Sequence, residues 1–505
     1  MNHPVLILRP GDGVAIARRE LTAGETVAGV TVRDDVPAGH KVALVDLAEG
    51  EQVRKYAEVI GVATRPIAAG AHVHTHNLAM AELAHSGGPV EVVEPVRPLP
   101  VAEQATFEGI VRPDGRVATR NYVGVLTTVN CSATAARHIA AAVERSGLLE
   151  EHAHVDGVVA LTHGTGCGMA ADGAGLEILR RTLSGYAEHP NLGALLVVGL
   201  GCEVNQIDAL TRDITLPDSV PLVPLTIQEL GGTRATTERG VGLVRDLLPD
   251  LDRVRREPVP ASRLVLGLNC GGSDGWSGVT ANPALGLAVD ELVRHGGTAV
   301  LAETPEIYGA EHLLTRRVTD AAVAERLMAR IRWWEEYTAA NGGSMDNNPS
   351  PGNKAGGITT ILEKSLGAVA KAGGTPLAEV VEYAQRVHGP GLVFMDTPGY
   401  DSVSVTGIVA GGAHVVCFTT GRGSAFGAKP VPSLKLATNS EIFRRMRDDM
   451  DVDCGAVLEG ERTLEEVGAE ILDAVLAVAS GRRTASEELG YGDEEFTPWQ
   501  LGAVM

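Results

Sequence analysis

The sequence predicts an α/β protein in which a small N-terminal β domain precedes two Rossmann-like, parallel-sheet α/β domains. Three observations predict this. Residues 1–80 carry short apolar runs broken by glycine turns, and from Gly109 onward apolar runs alternate with small or polar turns and helical stretches. Glycine is abundant, at 61 residues, while aromatics make up only 4%. That balance suits strand and helix layers joined by glycine-rich turns.

In the first region the runs Val5–Leu8, Val14–Ala17, Val42–Leu44 and Val59–Val62 are separated by Gly11-Asp12-Gly13, Pro37-Ala38-Gly39 and Ala69-Gly70. Such spacing reads as a small barrel or compact sheet. Residues 81–108 contain Gly87-Gly88-Pro89, Pro95, Pro98 and Pro100, and proline fixes φ and removes donors, so a semi-extended linker is expected. A first α/β domain is expected over 109–255, from the runs Tyr122–Leu126, Val155–Leu161 and Leu195–Leu200 and the helical stretches Thr134–Arg145 and Gly173–Leu183. The charged, proline-bounded stretch Arg253–Pro260 marks the expected boundary. The second α/β domain, 256–505 with a C-terminal tail, holds Leu264–Leu268, Thr298–Leu301, Leu392–Met395, Val415–Phe418 and Leu434–Ala437. Within it the polar segment Asn341–Thr360 is too long for a plain connection, and its lack of charge runs favours a functional loop over a disordered one.

Composition excludes several functions. With 64 acidic and 43 basic residues the net charge is −21, which repels phosphate backbones and anionic lipid. Nucleic acid and membrane are therefore not expected partners. No run of 18 apolar residues and no signal-peptide pattern is present. Six cysteines in so long a chain do not form a disulfide framework, so a reducing, cytoplasmic location is expected.

Open parallel sheets bind ligands at the carboxyl ends of their strands. Those ends carry Asn130-Cys131-Ser132, His163-Gly164-Thr165-Gly166-Cys167-Gly168, Gly201-Cys202-Glu203 and Cys270-Gly271-Gly272-Ser273-Asp274. Four of six cysteines thus occupy equivalent positions. Each alone reads as a small buried hydrophobe; together they admit thiolate metal ligation, although no CxxC spacing supports a cluster. The 164–168 glycines fail the dinucleotide spacing, because the third would fall at Met169. In His72-Val73-His74-Thr75-His76-Asn77, strand alternation would put three imidazoles on one face, suited to a divalent cation or an acid/base pair. His40, in Gly39-His40-Lys41, is a further candidate. Lys354 lies in the long loop, Arg422 follows a strand and could pair with a carboxylate, and Asn439 is either a ligand contact or a helix cap. Glu303 and Glu306 are acid/base or metal candidates, set against a solvated helix start.

At these motifs the sequence resembles the altronate/galactarate dehydratase family over nearly its whole length. The most specific pieces are Gly39-His40-Lys41, Val73-His74-Thr75-His76-Asn77, Gly199-Leu200-Gly201-Cys202-Glu203, Cys270–Asp274, Ala281-Asn282-Pro283, the Asn348–Gly357 loop, Thr420-Gly421-Arg422-Gly423 and Ala437-Thr438-Asn439-Ser440. The resemblance implies an N-terminal SAF-like domain, a two-part α/β region and dependence on iron(II) or manganese(II). The histidine pair at 74 and 76 looks like the altronate branch. The implied activity is conversion of an aldonate, D-altronate, to a 2-keto-3-deoxy acid. The alternatives are galactarate dehydration, a sulfolactate-type lyase reaction or non-catalytic sugar-acid binding.

The expected chemistry removes the C2 proton and then the 3-hydroxyl, with a cation offsetting the enediolate charge. His74 and His76 are expected to bind the metal or share the acid/base work, with His40 and Lys41 as alternates. Cys131, Cys167, Cys202 and Cys270 are further metal-ligand candidates. Asn130, His163, Asp274, Lys354, Arg422 and Asn439 are the expected polyol contacts. The partner is a small sugar acid; a homo-oligomer is allowed but not specified.

Overall fold

The N-terminal strands pair where the glycine turns return the chain. In a computed structural model, which describes residues 3–81 and 88–502, Val5–Leu6, Val14–Ala17, Lys41–Ala43 and His72–Val73 form a four-stranded antiparallel sheet. Gln52–Lys55, Glu58–Ala63 and Leu78–Ala79 form a three-stranded one. Val5, Ala15, Ala17, Leu21, Val36 and Val42 close one core of this domain. The fold is the expected one: a small β domain followed by parallel α/β layers.

The linker region ends differently from its expectation. Thr106–Val111 is a strand that pairs antiparallel with both Val117–Ala118 and Arg256–Pro260. Its alternating burial was obscured by the prolines before it. The stretch read as a boundary supplies the third strand, and its Pro258 and Pro260 are tolerated because it lies at the sheet's edge.

The first parallel sheet has the order Gly157–Leu161, Tyr122–Thr127, Leu192–Gly199, Leu222–Thr226. Helix Ala133–Arg145 buries Ala136, Ile139 and Val143 in the same core as Val244 and Leu248, which lie on helix Thr233–Leu251. The second sheet has seven parallel strands in the order Leu377–Val381, Gly391–Met395, Thr298–Leu301, Val265–Cys270, Val415–Thr420, Ser433–Ala437, Val452–Asp453. In each sheet the first strand in sequence has later strands on both sides, so the chain reverses direction there. Such switch points open a crevice at the carboxyl ends. Among the described residues no helix is long and apolar enough to cross a membrane.

The β domain docks on the second α/β domain through bare backbone. Gly39 and Gly357 both have positive φ. A Cβ on Gly357 would lie 2.4 Å from the Gly39 carbonyl oxygen, and one on Gly275 only 2.1 Å from it. Only glycine allows this approach. Beneath it Glu363, on helix Ile361–Val369, receives Lys41 and Lys55 from the β domain at 2.9 Å each.

Candidate active site

Strand pairing brings His40 beside the histidine motif. Lys41 pairs with Val73 and Val42 with His72. The strand, however, ends at Val73, so alternation along an extended strand does not align the imidazoles. The chain turns instead. Buried Asn77 accepts from the His74 N–H at 2.9 Å and donates to the His72 carbonyl at 2.9 Å, curling residues 74–77 back on themselves.

The result is a cluster of rings. His40 Nδ1 is 3.1 Å from His72 Nε2, and the His72 and His74 rings stack with centroids 5.5 Å apart. His40, His72 and His74 each offer a ligand atom within 4.8 Å of the others. His76 is exposed, its ring 5.4 Å from that of His72. Because a carbonyl only accepts, the 3.2 Å contact of His40 Nε2 with Ala355 O puts the proton on Nε2 and aims the Nδ1 lone pair inward. Burial, followed by neighbouring positive charge, lowers His72 to about 4 and His74 to about 3. Burial lowers His40 as well. Burial thus disfavours protonation of all three rings, and buried His74 Nδ1 has no hydrogen-bond partner among the described residues. This donor set fits a divalent cation, and a backbone carbonyl orienting one ring is the usual outer support of a ligating histidine.

Lys41 takes no part in that cluster. Its ammonium donates to the Gly357 carbonyl at 2.6 Å and to both oxygens of Glu363. It is completely buried, so in this structure it braces the loop and faces no solvent. Burial outweighs Glu363 in lowering it to about 8, whereas Glu363 itself is held well below the usual carboxylate range by Lys41 and Lys55, against its burial.

The 341–360 segment is the wall between the histidines and a cavity. It forms a short helix, Pro351–Ala355, with Ser350 and Asn353 in a reciprocal cap, and Asn353 donates to the Ser273 carbonyl at 2.8 Å. Ala355 and Gly356 also line a cavity of about 670 Å³ between the β domain and the second α/β domain. Arg18, Arg19, Arg422, Arg444 and Arg445 line it. This local positive charge answers the anionic surface of the whole chain. Asp274 closes one side. It is buried and accepts from Thr438 Oγ1, Ser277 Oγ and Asn439 Nδ2 at 2.9–3.1 Å. Of the two readings of Asn439 the helix cap is observed, its Oδ1 accepting from the Ile442 N–H at the start of helix Ser440–Arg445.

Of the expected polyol contacts, Asp274, Arg422 and Asn439 therefore share one cavity, and half-buried Lys354 precedes Ala355 in its wall. Asn130 and His163 do not join them. Both lie at the end of the first parallel sheet, where His163 Nε2 bonds the Thr127 carbonyl at 3.0 Å. Cys131, Cys167 and Cys202 are exposed at that same end, while Cys270 is buried in the second domain.

A second titratable cluster joins the candidates Cys270, Glu303 and Glu306 to two lysines, Lys364 and Lys371, that the sequence did not single out. Lys371 Nζ lies 2.9 Å from Cys270 Sγ and 3.0 Å from Glu303 Oε2. Lys364 donates to Glu306 at 2.6 Å and to Asn348 Oδ1 at 2.8 Å. Glu303 and Glu306 are fully buried, so the solvated helix start is replaced by an ion-paired core. Burial and then Glu306 push Glu303 up to about 8; burial also drives the Cys270 thiol up. Cys270, Glu303 and Glu306 have ligand atoms within 4.8 Å of each other, but Lys371 already supplies a cation there. The signal was present: Glu363 and Lys364 interrupt the apolar helix Ile361–Val369, and charge inside an apolar helix needs a partner.

Sequence comparison matches the chain to one family in three stretches. Residues 3–81 match the altronate/galactarate dehydratase SAF domain, 109–252 the D-galactarate dehydratase/altronate hydrolase second domain, and 261–504 the D-galactarate/altronate dehydratase C-terminal domain. The chain is 38% identical to altronate dehydratase of Escherichia coli (strain K12) over 488 residues, 94% of this chain and 95% of that one. It is 39% identical to galactarate dehydratase (L-threo-forming) of the same organism over 469 residues, covering 92% and 90%. It is 33% identical to (2R)-sulfolactate sulfo-lyase subunit beta of Chromohalobacter salexigens over 394 residues, covering 76% and 95%. The chain belongs to the altronate/galactarate dehydratase family and is a hydro-lyase of the sugar-acid dehydratase class.

Proposed function

We propose that this protein dehydrates an aldonate, D-altronate, to its 2-keto-3-deoxy acid in the space between the β domain and the second α/β domain. The observation that carries this reading is the shared wall: Ala355 accepts from His40 and, with Gly356, lines the arginine-rich cavity. A carboxylated polyol held by the arginines thus sits next to the imidazole cluster.

Each group has a role set by its surroundings. Arg422, exposed to the cavity, receives the carboxylate, and a guanidinium matches it bidentately. Asp274 and Asn439 are locked to one another and orient hydroxyls without rearranging. His40, His72 and His74 hold iron(II) or manganese(II), which when bound supplies Lewis-acid stabilisation of the enediolate charge, a contribution of several kcal/mol. His76, exposed beside His72, takes the C2 proton on a ring nitrogen, and the same imidazolium returns it to the departing 3-hydroxyl.

The test is a 2-keto acid assay on purified protein with D-altronate, galactarate and sulfolactate, each with iron(II), manganese(II) or a chelator. Metal-dependent 2-keto acid from D-altronate supports the proposal. Turnover of galactarate alone moves the substrate assignment, sulfite release from sulfolactate replaces the reaction, and inertness toward all three removes it.

A further inference from the structure

The first parallel sheet has its own switch point, and the proposed dehydration uses nothing there. Tyr122–Thr127 lies between Gly157–Leu161 and Leu192–Gly199. Each of these three strands runs into a loop bearing one cysteine: Cys131, Cys167 and Cys202. All three are exposed, whereas Cys270, Cys417 and Cys454 are buried. Cysteine is among the most buried residue types, so three exposed thiols at one end of one sheet depart from the ordinary pattern.

The loops are bound to one another. Asn130 N–H donates to the Thr165 carbonyl at 2.9 Å and Asn205 N–H to the Gly166 carbonyl at 3.1 Å. Asn205 Nδ2 reaches the Thr128 carbonyl at 3.1 Å, and Thr128 Oγ1 donates to buried Glu203 at 2.6 Å. Gly166, with φ of 98°, lies against the Thr128 backbone so closely that a Cβ there would fall 2.2 Å from its oxygen. Every cysteine therefore adjoins a residue tied to the next cysteine's loop. A lone metal ion holds thiolates with metal–sulfur bonds of about 2.3 Å, which places sulfurs roughly 4 Å apart. Among the described residues, the sets of three ligand atoms within 4.8 Å of each other do not include these thiols. A single ion therefore does not reach all three thiols as they stand, whereas a core of several metal ions spans more.

We infer that Cys131, Cys167 and Cys202 ligate an iron–sulfur centre of cubane type at the end of the first parallel sheet. Two ferric ions, two ferrous ions and four sulfides form the core. The three thiols bind as thiolates and release three protons, and the fourth iron keeps an open position for an oxygen ligand. No electron is gained or lost overall when ferric and ferrous iron are supplied in equal amounts.

The experiment is anaerobic reconstitution of the full chain with equal ferric and ferrous iron and sulfide, followed by removal of unbound ions. Iron, acid-labile sulfide and visible absorption are measured for the wild type, for Cys131→Ser, Cys167→Ser and Cys202→Ser, and for the triple variant. The expected result is near-stoichiometric iron and sulfide with a broad visible charge-transfer band in the wild type, and loss of most sulfide in each variant. Maleimide labelling of the three thiols should fall severalfold on reconstitution. Wild-type protein that retains no sulfide, or a triple variant that retains as much as wild type, overturns the assignment; so does binding of iron or zinc without sulfide. The wild-type measurement needs no variant to fold. Because no readout is turnover, failure here is distinct from failure of the dehydratase proposal.

Discussion

Lys41 and Glu363 meet across the boundary between the β domain and the second α/β domain, with the ammonium 2.9 Å from one carboxylate oxygen and 3.0 Å from the other, both side chains buried. Lys55 adds a second cation at 2.9 Å and the Thr359 N–H a further donor at 2.9 Å. Removing one partner of a buried pair strands the others. Glu363→Gln should cost about 3–5 kcal/mol of unfolding free energy. Chemical denaturation measures this, and a loss under about 1 kcal/mol would mean that the pair is solvated in solution.

The histidines divide by role, and two variants separate the roles. His74→Ala should lower bound iron or manganese and turnover together. His76→Ala should lower kcat by about 10²-fold or more while metal content stays at the wild-type level. Equal metal loss in both variants would merge the two roles.

Arg422 is assigned to ground-state capture of the carboxylate. Arg422→Ala removes a charge-assisted contact of about 1.5–3 kcal/mol, so KM should rise tenfold or more with kcat changed far less. An unchanged KM would place the carboxylate elsewhere in the cavity.

Lys371 holds Cys270 and Glu303 together in a site closed to water. Lys371→Met should destabilise the second domain by about 1–3 kcal/mol, because buried Cys270 and Glu303 then lose the hydrogen-bond donor they share. The check is the denaturation midpoint, compared with Lys371→Arg. A neutral result for Met would show that Glu303 is protonated and self-sufficient.

The buried histidines make a pH prediction. Burial lowers His189 to about 3 and His414 to about 4. Each stays neutral when folded and takes up a proton when unfolded below about pH 6.5. The stability each contributes is complete above that pH and declines on acidification, by roughly 1.4 kcal/mol per pH unit, until the folded value is reached. Glu303, raised to about 8, and Asp401, raised to about 7, titrate in the opposite sense, so the variant must be compared with wild type. The deficit of His414→Asn should be largest near pH 7 and shrink toward pH 4.5. A deficit independent of pH would show that His414 titrates alike in the folded and unfolded chain.

The strands with plain apolar runs were legible, and Val14–Ala17, Thr298–Leu301 and Leu392–Met395 fall within one residue of their observed bounds. Leu222–Thr226 escaped notice because Pro224 interrupts it, and Arg256–Pro260 because it is short, charged and proline-rich. Local pattern cannot see pairing with a strand almost 150 residues away. The same limit applied to the site. The histidine motif was visible as a string of residues, but its geometry depends on Asn77 closing the turn and on His40 arriving from the neighbouring strand. His72 and His40, not His76, complete the tight set with His74. Lys364 and Lys371 became meaningful only once the helix bearing Lys364 and the turn after it were seen against Glu306 and Cys270.

The antiparallel pairing of Thr106–Val111 with Arg256–Pro260 has an architectural outcome. The chain departs for the first parallel sheet and comes back through neighbouring strands, so that unit is plugged into the rest through a gate about 5 Å wide. Beyond that gate a buried seam, with Arg120 on Glu487 and Thr119 Oγ1 on the His414 carbonyl, fastens the unit to the second domain, so its strands can lengthen freely only on the side away from that seam.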